Sequence, residues 1–103
     1  MKFITSTIAL LLFSSLSFAQ LLLLDVRSQE EFDAGHAYGA VHIPHTEINE
    51  KAAVLLKNKD QKIKVYCKSG GRAEKAKVAL EALGYKNVEN VRTLKNANRF
   101  APQ

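Results

Sequence analysis

Hydrophobic and polar positions along the chain divide it into short strands and helices. Leu21 to Val26 is an apolar run broken only by Asp25, the pattern of a parallel strand covered on both faces. Ile63-Lys64-Val65-Tyr66 is β-branched and aromatic, and Asn87-Val88-Glu89-Asn90-Val91 is short and mixed; both read as strands. A short strand over about Ala40–His42 follows the loop that begins at His36. Between these stretches the period changes. Ala73, Ala76, Leu80 and Leu83 recur at helical spacing and end at Gly84, which suits a helix C-terminus. Ser28 and Glu31 form a capping-box start, predicting a short helix that ends at Gly35 and packs Phe32 inward. Thr46 is expected to cap a helix over about Glu47–Leu56, Lys57–Lys62 is a polar linker, and Asn96–Gln103 has too little pattern for anything but a frayed tail.

Composition changes the reading at the N-terminus. With 103 residues and 47 % hydrophobic content the chain holds one domain. Met1-Lys2 is a basic start, Phe3 to Phe18 is mostly apolar, and Ser17-Phe18-Ala19 is a small-x-small cleavage site. The expectation is a secretory signal peptide over residues 1–19, removed near Ala19. An uncleaved anchor continuing through Leu21–Leu24 nearly reaches membrane-spanning length, but that segment is needed as the first strand. No cysteine stands where a lipid anchor requires one. The domain then runs over residues 20–103, small enough for a thin core, with no stable membrane association after cleavage and a periplasmic location.

The charge balance is +5, of which +4 remains without Lys2. No basic stripe interleaves with aromatics, which argues against nucleic acid as a partner, while a modest positive field attracts small dianions.

Only one cysteine is present. In an oxidising compartment a lone thiol is a liability unless its reactivity is used. Cys67 lies in Cys67-Lys68-Ser69-Gly70-Gly71-Arg72, a tight turn between a strand and a helix N-terminus. Successive N–H groups there converge on one spot and the helix dipole favours negative charge. Two glycines let the backbone curl, and Lys68 and Arg72 add positive charge. These effects favour the thiolate, the nucleophilic form. Solvent access is expected to limit opposition from burial. A metal reading of His36, His42 and His45 with Cys67 has loose spacing and no carboxylate to orient the ligands.

The six-residue loop resembles the active-site loop of single-domain rhodaneses, which are sulfurtransferases. A second motif, Leu21 to Pro44 (LLLLDVRSQEEFDAGHAYGAVHIP), resembles their N-terminal signature, and the small periplasmic phage-shock-type rhodaneses are similar in beginning almost directly at the Asp-Val-Arg strand. The fold implied is a small α/β rhodanese-like domain, a central parallel sheet of four to five short strands flanked by helices. The activity implied is transfer of sulfane sulfur from thiosulfate or another donor to cyanide or a thiol, through a persulfide on Cys67. Lys68 and Arg72 would bind the anionic donor, the N–H groups from Lys68 through Ser69, Gly70 and Gly71 to Arg72 would hold the terminal sulfur, and Ser69 would add a hydrogen bond. Asp25, Arg27 and Glu31 would support the loop, with Asp25 and Glu31 acting through buried polar contacts. No metal or organic cofactor is implied.

Two alternatives bear on this reading. Cysteine phosphatases use C-x5-R, whereas Arg72 makes C-x4-R, a loop one residue shorter that suits a single sulfur atom. A rhodanese-like sulfur carrier or binding module would keep the cysteine without fast turnover. The chain also departs from its family after the last strand: Val91-Arg92-Thr93-Leu94 stands where many members have Gly-Gly, placing Arg92 as an added cation near Cys67.

Overall fold

Asp25 and Tyr66 are register partners at the centre of a parallel sheet, and the chain is arranged around the ends of their two strands. The computed structural model describes residues 21–102. In chain order its elements are β1 (Leu21–Asp25), α1 (Gln29–Ala34), β2 (Val41–His42), a 3-10 turn (His45–Glu47), α2 (Ile48–Leu55), β3 (Lys62–Cys67), α3 (Gly71–Ala82), β4 (Asn87–Thr93) and α4 (Leu94–Asn98). The sheet has the order β2-β1-β3-β4, and all its pairings are parallel.

Both faces of the sheet are covered, as the apolar run of β1 requires. Leu24 and Val26 join Ile63, Val65 and Cys67 of β3 under Ile48 and Ala52 of α2 and Ala73, Ala76 and Leu80 of α3. Leu23 points the other way, with Tyr66, Val91, Ala37 and Ala97. Each fully buried Leu, Ile or Val contributes about 1.5–3 kcal/mol, so the larger cluster dominates the stability. Cys67 and Tyr66 are sequence neighbours on opposite faces.

Strand order places the site. The chain leaves β1 toward β2 and leaves β3 toward β4, in opposite directions across the sheet. The connections diverge at the β1–β3 boundary and a crevice opens beyond the C-terminal ends of these strands. Arg27 just after β1 and the loop that begins at Cys67 at the end of β3 both lie at that end of the sheet.

Several elements differ from the sequence expectation. The helix expected from Thr46 begins at Ile48, with the 3-10 turn ahead of it and no side-chain cap; Pro44 fixes the preceding backbone and the chain tightens before it can open to α geometry. Phe32 does not reach the core. It is half-buried and stacks on His36, ring centroids 3.6 Å apart, and on His42 at 4.5 Å. α3 starts at Gly71, two residues early, with Gly70 at its N-cap in a positive-φ conformation. β2 is limited to Val41–His42, while β4 extends two residues further, to Thr93. Residues 94–98, the last three of which fall in the segment expected to fray, form α4: Thr93 Oγ1 accepts from Asn96 N at 3.1 Å and Ala97 is fully buried. A five-residue helix has almost no periodic signal of its own, and burial against the sheet decides it. The expected signal peptide lies outside the described residues.

Candidate active site

Cys67 is the last residue of β3 and is 1 % exposed. Its Sγ accepts the N–H of Gly70 at 3.0 Å and of Ala73 at 3.3 Å. Two features of the sequence make this turn. Gly70 adopts φ +114°, which a side chain resists, and so the backbone folds back over the sulfur. Ala73 is small and buried against the sheet, which brings the first turn of α3 close. Burial is the largest influence on the thiol and pushes its pKa up; the N–H groups of Ala73, Gly70, Ser69 and Arg72 together outweigh it and leave the value below the ordinary 9.0. The sulfur is thus less open to solvent than expected, and oriented backbone dipoles favour the thiolate.

The structure places the remaining loop residues at two distances from the sulfur. Lys68 and Ser69 are exposed at the rim. Arg72 turns its side chain across the crevice to α1, where Nη1 reaches Glu31 Oε1 at 2.7 Å and Nη2 reaches Oε2 at 3.0 Å. Glu31 also closes the capping box, accepting from Ser28 N at 3.0 Å. The guanidinium and the capping N–H hold the Glu31 carboxyl well below the usual carboxylate range. Glu31 is partly exposed, side-chain exposure 31 %, rather than buried as expected. Its effect is to tie the first turn of α1 to the first turn of α3.

Asp25 is fully buried. Arg27 Nε donates to its two oxygens at 2.9 and 3.1 Å, and Arg27 Nη2 to Oδ2 at 2.6 Å and to the Gly35 carbonyl at 2.7 Å. Tyr66 completes the cluster: its hydroxyl donates to Asp25 Oδ2 at 2.8 Å and accepts Ala37 N–H at 3.0 Å. Burial, with the Asp25 carboxylate beside it, pushes the Tyr66 phenol up to about 12. A buried carboxylate is tolerated because charge and hydrogen bonds are both answered. The result clamps β1, β3 and the segment after α1 around the residue preceding Cys67.

Two residues that support the loop were missed in the sequence, one on β4 and one on β3. Asn90 Nδ2 donates to the Gly70 carbonyl at 3.0 Å and to Glu74 Oε1 at 3.1 Å, and its Oδ1 accepts Arg92 N–H at 2.9 Å. It braces the N-cap of α3 and diverts Glu74 from the Lys77 pairing its helical spacing suggests; Lys77 pairs with Glu81 at 3.0 Å. The other is Tyr66, whose place beside Cys67 in an alternating strand was the available signal. Asn90 carries no local signal for its contacts with the loop and α3, because those partners lie twenty and sixteen residues away. Beside it the register breaks: Val65 pairs with Asn90 and Tyr66 with Arg92, leaving Val91 as a bulge.

The thiol site is a cradle of backbone rather than a deep cavity. A groove of about 350 Å³ runs along Lys62, Lys64, Lys86 and Glu89 at the opposite ends of β3 and β4, and another, of about 280 Å³, is lined by Asn90, Arg92 and Phe100 on the β4 side of the loop. What the cradle can do is stabilise an anionic sulfur in a site whose donors need no reorganisation.

The profile of the rhodanese-like domain matches residues 13–96. The thiosulfate sulfurtransferase PspE of Escherichia coli is 38 % identical over 86 residues, 84 % of this chain and 83 % of that protein. The putative sulfur carrier protein YrkF of Bacillus subtilis is 41 % identical over 69 residues, 67 % of this chain and 36 % of its own length. Among solved structures, a rhodanese from E. coli described with anions superposes with a TM-score of 0.70 at 37 % identity, covering 74 % of this chain and 89 % of that one.

Proposed function

The chain belongs to the rhodanese family, and from that premise we propose that it is a thiosulfate sulfurtransferase working through a persulfide on Cys67. The observation that carries the reading is the convergence of the Gly70 and Ala73 N–H groups on Sγ. The Cys67 thiolate attacks the outer sulfur of thiosulfate. A new sulfur–sulfur bond forms, the bond to the sulfonate sulfur breaks, and sulfite leaves with the bonding pair. The enzyme is left as a persulfide anion, whose terminal sulfur takes up the charge. Cyanide or a thiolate then attacks that terminal sulfur, leaving thiocyanate or an acceptor persulfide and restoring the Cys67 thiolate. Two easy displacements replace one difficult transfer, and no external oxidant or reductant is consumed.

In this reading the loop N–H groups stabilise charge on whichever sulfur bears it. Lys68 and Ser69 at the rim meet the donor. Arg72 contributes its N–H to the thiolate; its guanidinium is engaged by Glu31, and donor binding by that side chain requires the pair to share or release it. Asp25, Arg27 and Glu31 keep the loop in shape. Residues 1–19 export the chain to the periplasm, and recovery of a mature protein beginning at Gln20 from that compartment tests this part.

Incubation of the purified protein with thiosulfate tests the chemistry. Intact mass should rise by one sulfur atom, mapped to Cys67, and return to the starting value with cyanide as thiocyanate appears. A chain that gains no sulfur refutes the proposal. The likeness to a putative sulfur carrier favours a second reading, in which the persulfide forms but is released only to a dedicated thiol partner; sulfur uptake without multiple turnovers on cyanide would establish it.

A further inference from the structure

Arg92 is the one non-glycine residue among those described with a positive φ, +79°. L side chains resist this conformation, so its persistence calls for a compensating role. Three features hold it there. Val91 bulges out of the β3–β4 ladder, the Arg92 N–H donates to Asn90 Oδ1 at 2.9 Å, and the side chain folds across the active-site loop. A Cβ on Gly70 would lie 3.1 Å from Arg92 Cζ and 3.2 Å from Nη1. Gly70 is the residue whose N–H donates to the thiol. The bulge therefore turns the guanidinium onto the outer side of the cradle's central residue.

Charge pairing separates this arginine from its neighbour. Both terminal nitrogens of Arg72 are engaged by Glu31, whereas no carboxylate among the described residues forms an ion pair with Arg92. Its donors are free for an anion, and a planar guanidinium matches two oxygens of one oxyanion at once.

Resting on the sulfurtransferase reading, we propose that Arg92 is a specificity-determining residue that receives the sulfonate oxygens of the donor while its outer sulfur meets Cys67, biasing this protein toward oxyanion-bearing donors. The sulfite released in the first displacement leaves from the same guanidinium. A donor without that group, such as an organic persulfide, gains nothing from it.

Arg92→Gly tests this cleanly, because glycine adopts a positive φ without strain and leaves room at Gly70. The variant should be at least as thermally stable as the parent. Removing a charge-assisted contact should raise KM for thiosulfate about tenfold, with the cyanide step and transfer from a persulfide that carries no oxyanion, such as 2-hydroxyethyl persulfide, unchanged. Lys68→Met, assayed beside it, identifies the lysine as the donor site if it takes the larger share of the effect, and that result overturns the proposal, as does an unchanged KM in Arg92→Gly. A second readout needs no turnover: sulfite or sulfate should slow alkylation of Cys67 by iodoacetamide in the parent and do so only at higher concentration in Arg92→Gly. Loss of this protection supports Arg92 even if the parent proves inactive with thiosulfate, and equal protection in both proteins counts against Arg92 even if the parent is active.

Discussion

Arg72 and Glu31 meet fork to fork, Nη1 to Oε1 at 2.7 Å and Nη2 to Oε2 at 3.0 Å, and so join the helix after β3 to the helix after β1 across the crevice. Glu31 serves the capping box of its own helix at the same time. One carboxylate therefore fixes the start of α1 and the side chain that closes the Cys67 loop.

Replacing Glu31 by Gln should lower stability at neutral pH by about 1 kcal/mol, since the pair is partly exposed and the cap is weakened rather than removed. The folded carboxyl titrates below its ordinary value of 4.5. Its contribution is present above 4.5 and is lost as pH falls toward the folded value. Thermal melts of the two proteins should converge on acidification below 4.5; a gap that persists in strong acid would assign the loss to something other than the charge. Arg72→Ala should be non-additive with Glu31→Gln, and its KM for thiosulfate shows how far its guanidinium takes part in donor binding.

Cys67→Ser should abolish persulfide formation and thiocyanate production, because the chain has no other thiol. Serine keeps an acceptor for the Gly70 and Ala73 N–H groups, so the melting temperature should change little. Thiocyanate above background from the variant would remove Cys67 from the mechanism.

Alkylation of Cys67 by iodoacetamide, followed against pH, should show a midpoint below the ordinary 9.0, since the loop N–H groups outweigh burial. Sulfur uptake from thiosulfate should follow the same curve and flatten above it. A midpoint at or above 9.0 would mean that burial wins and the loop does not activate its thiol.

Tyr66→Phe should cost about 1–3 kcal/mol, because it leaves the buried Ala37 N–H without an acceptor and takes one donor from Asp25. The folded phenol is pushed from 10.0 up to about 12. Folding favours the neutral form, so the hydroxyl's contribution is present below 10 and falls away as pH rises from 10 to 12. Denaturant melts should show the gap between parent and variant shrinking over that interval.

Gly70→Ala should destabilise by about 1–2 kcal/mol from backbone conformation alone, and more where the new methyl meets the Arg92 guanidinium. Combining it with Arg92→Gly should restore the second part and not the first. Purely additive melting shifts would show that the two residues do not touch in solution.

The sequence by itself determined the parts whose reasons are local. The apolar run of β1 required a strand with both faces covered, and β3 and the capping box at Ser28 and Glu31 were visible in a few residues each. So were the helix of Ala73, Ala76 and Leu80 and the glycine turn after Cys67. What tertiary structure decided depends on partners distant in the chain. Which cation Glu31 takes follows from the β2-β1-β3-β4 order that sets α1 opposite α3. The half-buried stack of Phe32 follows from where His42 is carried by β2. The helix over residues 94–98 exists because Ala97 can be buried against the sheet, a gain that no five-residue pattern announces. The brace from Asn90 and the aim of Arg92 follow from one residue of slippage between β3 and β4. That slip is fixed by the packing of Val91 and Tyr66, and side-chain direction in a strand reverses with every residue of register.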